Sequence, residues 1–545
     1  MRLSLLVVLA FSGCVRFRPA TPDTGVPADT DTDTDADADT DSDTDTDNPY
    51  TDLPSWLTLA AVDSDIYADL GLEVLTFDVG PGSPSGYRDP DGNDPVFHVI
   101  KPATFTDPDA LHPVLMWLHG NAIGIEGDPD YGAHCGAAGI QPVVTAAIEE
   151  HAFIAAEVKN REWIWVVPEN PWCDLWSGLG EDDPVDPDHH GMEHVQTILD
   201  VLDSGFGDLH ADPDRIYGWG TSIGGAGIVI SSYGEGLPSR FSAVVEDSGP
   251  VGASTWYDSA AWTADLAHIL GGPPFDDAGD PTTYYPNYTR VDATLLLREH
   301  DYRVPMFQYY NEFDGLVPAR QNSVLGDALE QYYGADGVRY FSHDVSHHAP
   351  GTLFHVQTGY ERPPFSYANR AAFGFLEGKN VAYYEAESTC QEGSCTSVAE
   401  SGTGQLEAVS PFSHGSAVKR GESDGQGVMY IGRLPDIIPA GVSPTVLPVL
   451  VLEDAEDAGS SDGIVTLDLK QDGTVLSTLT LRRSDFAAGD DETSATFYAQ
   501  VGDTTWVLDQ DDDGVADPLP DGTLTVQAFY QGRGTVWLDG FWFIW

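Results

Sequence analysis

The pattern Gly-x-Ser-x-Gly occurs three times in this chain, at 220–224, 421–425 and 459–463. The two later copies are acidic loop sequences, with no apolar run leading in and no helical run leading out. The first copy differs. Gly220-Thr221-Ser222-Ile223-Gly224-Gly225 follows a strand expected at 215–219 and opens into Ala226-Gly227-Ile228-Val229-Ile230. That is a strand–turn–helix context, in which a serine perched on a strained bend projects its hydroxyl above a sheet. Gly220 and Gly224, two positions either side, leave room for strand and helix to pack closely. The chemistry such a serine supports is nucleophilic attack on an acyl carbon.

A serine hydroxyl is a poor nucleophile until a base takes its proton, and the base needs an orienting carboxylate. In sites of this kind the acid and then the histidine follow the serine along the chain. After a strand expected at 305–310, Asp314 stands in Asn-Glu-Phe-Asp-Gly-Leu-Val-Pro; after one expected at 338–342 come His343-Asp344-Val345-Ser346-His347-His348. Asp314 and His347 are the expected partners of Ser222. Asp247, after the preceding strand, is the alternative acid, and His348 the alternative base. A developing oxyanion needs backbone donors. The N–H of Ile223, first in the helix, is one. The N–H of Asn121, in His119-Gly120-Asn121 after the strand expected at 113–118, is the other, with Gly120 as fallback.

Several elements must position these groups. Between about 70 and 360, short apolar strands alternate with helical segments, which predicts an α/β fold with a largely parallel sheet. The runs 113–118 and 163–167 are apolar throughout, as strands buried on both faces are. Strands at 73–79 and 96–100 read as an opening antiparallel pair, and 251–300 as an excursion off the sheet. From about 381 the strands crowd together without helical period, and Asp472-Gly473 between two alternating runs predicts a hairpin. This half reads as an all-β sandwich over 381–545, after a 53–378 catalytic domain and a boundary at 378–380.

The residues around Ser222 resemble the α/β-hydrolase fold. Within it, Asp212-Pro213-Asp214-Arg215-Ile216-Tyr217 together with Leu118-His119-Gly120 resembles the polyhydroxybutyrate depolymerase, feruloyl esterase and acetylxylan esterase group. The resemblance covers about 70–360. It implies a serine ester hydrolase that works through an acyl-enzyme without a catalytic cofactor, on feruloyl or acetyl esters of a polysaccharide. A polyhydroxyalkanoate or other polyester depolymerase and a serine peptidase are alternatives. A catalytically silent surface carbohydrate-binding protein is the alternative outside enzymes. Trp172 and Trp176 fit either the walls of an acyl or sugar pocket or the core.

In the β half, Tyr384-Glu385-Ala386-Glu387 and Val536-Trp537-Leu538-Asp539 resemble the first and last strands of jelly-roll carbohydrate-binding modules. That resemblance implies a structural Ca²⁺ held by Glu385, Glu387 and Asp539. A second calcium loop is expected at 509–517. Asp509, Asp511, Asp513 and Asp517 stand at positions 1, 3, 5 and 9, Gly514 at 6, and the Val515 carbonyl at 7, although position 12 is Pro520.

Composition sets the surroundings. Of 545 residues, 24 are Lys or Arg and 88 Asp or Glu, for a formal charge of −64. Such a chain lacks the basic footprint that nucleic acid requires, and its charge disfavours anionic lipid. The first 14 residues read as an export signal whose Phe11-Ser12-Gly13-Cys14 resembles a bacterial lipobox, so Cys14 is the expected lipidation site and the only expected membrane attachment. Residues 15–52 are dominated by Thr and Asp and read as a disordered, extended linker. The expected location is the bacterial envelope, as an outer-membrane or surface lipoprotein, or the exterior. In an exported chain the other four cysteines predict two disulfides, Cys390–Cys395 locally and Cys135–Cys173 by elimination.

Overall fold

The computed structural model describes residues 53–63, 70–83, 94–120, 152–170, 176, 191–204, 209–233, 240–257, 266–267, 270–276, 278–300, 302–310, 314, 317–344, 363–385, 405–408, 416–421, 425–433, 438–453, 458–488, 496–499, 505–509, 515–522 and 524–545. Within the unit Pro49–Trp545, nine strands form the first sheet. They are β1 (Leu57–Asp63), β2 (Leu72–Val79), β3 (Val96–Pro102), β4 (His112–Leu118), β5 (Ile164–Pro168), β6 (Ala211–Thr221), β7 (Ala243–Asp247), β8 (Met306–Tyr310) and β9 (Tyr340–Asp344). Their order is β1-β2-β3-β5-β4-β6-β7-β8-β9. The first four strands in that order pair antiparallel and every later pair is parallel.

Side-chain alternation explains why β4 and β5 read as unbroken apolar runs. Val114 and Met116 join one buried cluster, and Leu115 and Trp117 the other. Successive residues of a strand point to opposite faces, so a strand covered on both sides must be apolar at every position. One face is packed by α2 (Gly191–Asp203), α3 (Ile223–Tyr233), α6 (Ala293–Glu299) and α7 (Ala319–Asp336). The other is packed by α1 (Ala152–Arg161) and α8 (Pro363–Leu376). The excursion expected at 251–300 carries short helices, α4 (Ala253–Tyr257) and α5 (Tyr285–Arg290), before α6, and no sheet strand among its described residues.

The β half is a two-sheet antiparallel sandwich. One sheet runs β11 (Gln405–Ala408), β12 (Ser416–Arg420), β21 (Thr535–Ile544), β14 (Thr445–Glu453), β18 (Thr496–Ala499), β17 (Phe486–Ala488). To it β10 (Val381–Glu385) adds on β21 and β19 (Trp506–Val507) on β14. The other sheet runs β13 (Gly427–Arg433), β20 (Leu524–Tyr530), β15 (Gly463–Gln471), β16 (Thr474–Arg482). The turn between β15 and β16 has Asp472 at φ 49° and Gly473 at φ 82°. Two successive positive φ values are what a two-residue Asp-Gly hairpin demands.

β21 is buried on both faces, for two different reasons. Val536, Leu538, Phe541 and Phe543 fill the sandwich core. Trp542 and Ile544, with Leu447 and Val449 of β14, join the cluster that also holds Phe307, Phe375 and Tyr309 of the first half. A Cβ on Gly374 of α8 would stand 2.6 Å from Ile544 Cγ2. One continuous apolar cluster therefore spans both halves.

Candidate active site

β6, between β4 and β7 in the sheet, is the strand from which the Ser222 turn leaves. Ser222 sits at φ 57°, between the last residue of β6 and the first of α3, and is 9% exposed. A non-glycine residue in the left-handed region is strained by about 1–2 kcal/mol. Surrounding contacts hold it there. Its N–H donates to the Asp247 carbonyl at 2.9 Å, and its own carbonyl accepts from the N–H of Gly225 at 2.8 Å. A Cβ on Gly220 would lie 1.9 Å from the Gly224 carbonyl oxygen, and one on Gly224 would lie 1.8 Å from the Leu118 carbonyl oxygen. These two glycines are required because backbone meets backbone at both. The Ile223 N–H, first in α3, belongs to the turn of donors that an α-helix leaves without an intrahelical partner.

The loop after β4 lies directly on that helix. His119 is buried, and its Nδ1 donates to the Gly120 carbonyl at 2.9 Å; the carbonyl can only accept, which places the proton on Nδ1. Burial lowers its pKa below the ordinary imidazole value. The Trp176 indole N–H donates to the His119 carbonyl at 3.2 Å, and its ring meets the imidazole edge-on at 5.2 Å between centroids. Trp176 is 1% exposed and packs on Gly227 of α3. It is therefore a core residue bracing the turn rather than a pocket wall; Trp172 lies outside the described residues.

The two acids at the carboxyl ends of β7 and β8 differ sharply. Asp314 follows β8 and is half-buried, and its Oδ1 accepts from the N–H of Val317 at 2.9 Å. Asp247, which ends β7, is fully buried, and its Oδ2 accepts from the Thr221 hydroxyl at 3.2 Å. Burial, with Glu246 adjacent, pushes the Asp247 carboxyl well above the usual carboxylate range. Burial also pushes Glu246 up to about 8. One Glu246 oxygen accepts from the N–H of Gly249, and a Cβ on Gly249 would lie 2.5 Å from the Ala226 N. Sequence reasoning missed Glu246, because an acid ending an apolar run reads as a solvated strand end. Its signal was the Glu-Asp-Ser-Gly sequence in which a buried strand ends. His347, His348 and Asn121 lie outside the described residues.

The expected metal and cysteine positions are only partly described. Asp511, Asp513, Glu387, Cys14, Cys135, Cys173, Cys390 and Cys395 lie outside the described residues. The Asp517 N–H donates to the Leu508 carbonyl at 2.6 Å, which closes the 509–517 loop at its base and brings Asp509 and Asp517 to one end of it; Val515 is exposed. Asp539 is buried on β21 and accepts from the Tyr383 hydroxyl at 2.7 Å. The strand register pairs Glu385 with Gly540, its neighbour in sequence. Among the described residues no group of three His, Cys, Asp or Glu converges as metal ligands would, and no helix is long and apolar enough to cross a membrane.

No protein-family model matches the chain, and no curated protein sequence does. Solved structures with some likeness include an S-formylglutathione hydrolase from Agrobacterium tumefaciens, 15% identical, covering 59% of this chain and 99% of that one at a TM-score of 0.39. Esterase B from Lactobacillus rhamnosis is 15% identical over 52% of this chain and 80% of its own, at 0.34. The esterase Est2 from Thermogutta terrifontis with bound propionate is 15% identical over 54% and 92%, at 0.35. Scores this low carry no weight for function. The largely parallel sheet, with a serine on a strained turn between β6 and a buried helix, has the strand–turn–helix arrangement that holds a nucleophile above a sheet.

Proposed function

We propose that this protein is an exported serine ester hydrolase. The observation that carries the reading is Ser222, a non-glycine residue at φ 57° where β6 enters α3, held by backbone contacts that tolerate no side chain at Gly220 or Gly224. Strain of this kind persists only where the surroundings over-determine it, and it clusters at functional sites.

In this reading Ser222 Oγ forms a bond to the ester carbonyl carbon while its proton passes to His347. The oxyanion is met by the N–H groups of Ile223 and Asn121. The C–O bond then breaks, and the alcohol leaves with the proton from His347. Water, deprotonated by the same imidazole, attacks the acyl-enzyme, and Ser222 recovers its proton as the acid product departs. Asp314 orients His347 and balances the imidazolium charge. Asp247 is less suited to that task, since burial pushes its carboxyl toward the neutral form.

The substrate class is an acyl-substituted polysaccharide, with feruloyl or acetyl esters first, and the sandwich half is a carbohydrate-binding, jelly-roll-like module. Cys14 carries the lipid anchor, residues 15–52 hold the folded part away from the envelope, and four cysteines form Cys135–Cys173 and Cys390–Cys395. Ca²⁺ has a structural role in the 509–517 loop, whose closed base supports the assignment, and beside Asp539 with Glu385 and Glu387; no step of the reaction passes through it. A panel of p-nitrophenyl esters with Ser222→Ala as control tests the enzyme. Hydrolysis abolished by the substitution supports the reading; absence of turnover on every ester refutes it.

A further inference from the structure

Thr221, the last residue of β6, is fully buried. Side chains alternate along a strand. Gly218 and Gly220 face α3, where an added Cβ would meet Ile228 and Gly224. Thr221 therefore faces away from α3, on the side of Tyr217 and Trp219 and of the apolar cluster that holds Trp117 and Tyr309. Valine has the shape of threonine and would serve packing there. A hydroxyl in such a setting is unfavourable unless it is hydrogen-bonded.

The Thr221 hydroxyl is bonded on both sides. Trp117 Nε1 donates to its Oγ1 at 3.2 Å. An indole N–H can only donate, so the hydroxyl accepts there and gives its own proton to Asp247 Oδ2, also at 3.2 Å. One oxygen thus joins β4, β6 and β7, which are neighbours in the sheet. The register prepares this, setting Trp117 across from Trp219 and Thr221 across from Asp247. Asp247 also takes the Ser222 N–H on its backbone carbonyl at 2.9 Å, so it grips both residues of the Thr221-Ser222 pair. On the other side, β4 runs from Trp117 through Leu118 into His119-Gly120-Asn121, and the Leu118 carbonyl lies against Gly224 of α3. Beyond Asp247, the Ser248 N–H donates to the Tyr309 carbonyl at 3.1 Å, which extends the ties to β8, the strand before Asp314.

We infer that Thr221 is a positioning residue whose hydroxyl clasps the end of the nucleophile strand to β4 and β7, and so sets where Ser222 and the Ile223 N–H stand relative to the loop after β4. The role rests on the esterase reading above. It is a role in turnover and not in binding: the hydroxyl lies on the face of the sheet away from α3, where it touches no substrate, and acts through the residue that follows it. A small displacement of a reacting group lowers the rate far more than it lowers affinity. A hydroxyl that served the core alone would leave a different kinetic pattern, since its loss would show in stability and in the folded fraction.

The test compares Thr221→Val and Thr221→Ser with the parent, each as the full chain, on p-nitrophenyl acetate. Diethyl p-nitrophenyl phosphate titrates the reactive serine, so the competent fraction is counted apart from its rate. Valine deletes the hydroxyl and keeps the shape; serine keeps the hydroxyl and deletes the methyl. Thr221→Val is expected to lower kcat about tenfold to a hundredfold, with KM within about twofold and the titratable fraction unchanged. Thr221→Ser is expected to stay within about threefold of the parent. Trp117→Phe should also lower kcat, and lower it no further in the Thr221→Val background, because both act through one hydroxyl. An unchanged kcat in Thr221→Val overturns the inference. So does an equal loss in both Thr221 variants, which assigns the effect to the methyl, or a titratable fraction that falls in step with the rate. If Thr221→Val does not fold, Trp117→Phe decides, and a kcat equal to the parent's overturns the clasp. Absence of ester turnover in the parent refutes the esterase reading and this role with it; turnover in the parent without the loss in the variants refutes the role alone.

Discussion

The N–H of Ser222 donates to the carbonyl oxygen of Asp247 at 2.9 Å, so the strained turn hangs from the end of the neighbouring strand. Position 222 is thereby coupled to β7 as well as to its own strand and helix. The Asp247 carboxyl, fully buried, holds the hydroxyl of Thr221, and the adjacent Glu246 holds the Gly249 N–H. Two buried acids thus brace the turn from below, and both enter the predictions that follow.

The strain at Ser222 is measurable as stability. Glycine adopts a φ of 57° without steric penalty, so Ser222→Gly is expected to raise the unfolding free energy by up to about 1 kcal/mol while hydrolysis falls to background. Denaturant melts of the two proteins check this. Equal or lower stability of the glycine variant would show that the position is not strained.

Close approach at Gly224 has no soft partner. A Cβ there meets the Leu118 carbonyl oxygen at 1.8 Å, whereas one on Gly227 meets the Trp176 side chain rather than backbone, at 2.6 Å. Gly224→Ala is therefore expected to cost more than about 3 kcal/mol or to prevent folding, and Gly227→Ala distinctly less. Similar thermal shifts in the two variants would contradict this packing.

Much of this was legible in the sequence. β4 and β5 announce themselves as apolar runs, and the 472–473 hairpin by its Asp-Gly pair. β1 did not, because most of its residues are partly or fully exposed and only its pairing with β2 makes it a strand. The three-residue β17 and two-residue β19 are likewise strands only through their neighbours. The Ser222 turn was legible because its glycines sit between a strand and a helix. The sharing of one apolar cluster across both halves was not read from Trp542 and Ile544, since period-two patterning says that a residue faces a core without saying which one.

Glu246 makes stability depend on pH. Its folded pKa is about 8 against an ordinary 4.5, with burial as the largest cause. The folded state then binds more protons than the unfolded chain between those values, so stability falls as pH rises through that window. Below pH 4.5 no penalty exists, and by pH 8 it is on the order of a few kcal/mol. Glu246→Gln removes the titration, so its melting temperature should exceed the parent's at pH 8 and match it at pH 4.5. A constant difference between the two melting curves across pH would refute the assignment.

Trp542 ties the halves together. Its ring lies 4.9 Å from Tyr383, 5.4 Å from His343 and 5.5 Å from Phe341, centroid to centroid. Trp542→Ala is expected to destabilise by about 3–5 kcal/mol and to lower the unfolding of both halves together. Calorimetry of the full chain should show one transition in parent and variant alike. Two separated transitions, with only the second half affected, would show that the shared cluster contributes nothing to coupling.

The choice between the two acids can be made by kinetics. Asp314 is half-buried beside the end of β8, whereas burial and the adjacent Glu246 push the Asp247 carboxyl well above the usual carboxylate range. Asparagine keeps the shape of the carboxyl and an oxygen to accept from the Thr221 hydroxyl, so Asp247→Asn preserves that contact, and kcat should stay within about tenfold of the parent. Asp314→Asn removes the negative charge facing the imidazolium and leaves the wrong tautomer favoured, so kcat should fall about a thousandfold to ten-thousandfold with little change in melting temperature. If the large loss follows Asp247→Asn instead, the acid lies at the end of β7, and Asp314 does no more than cap the turn at Val317.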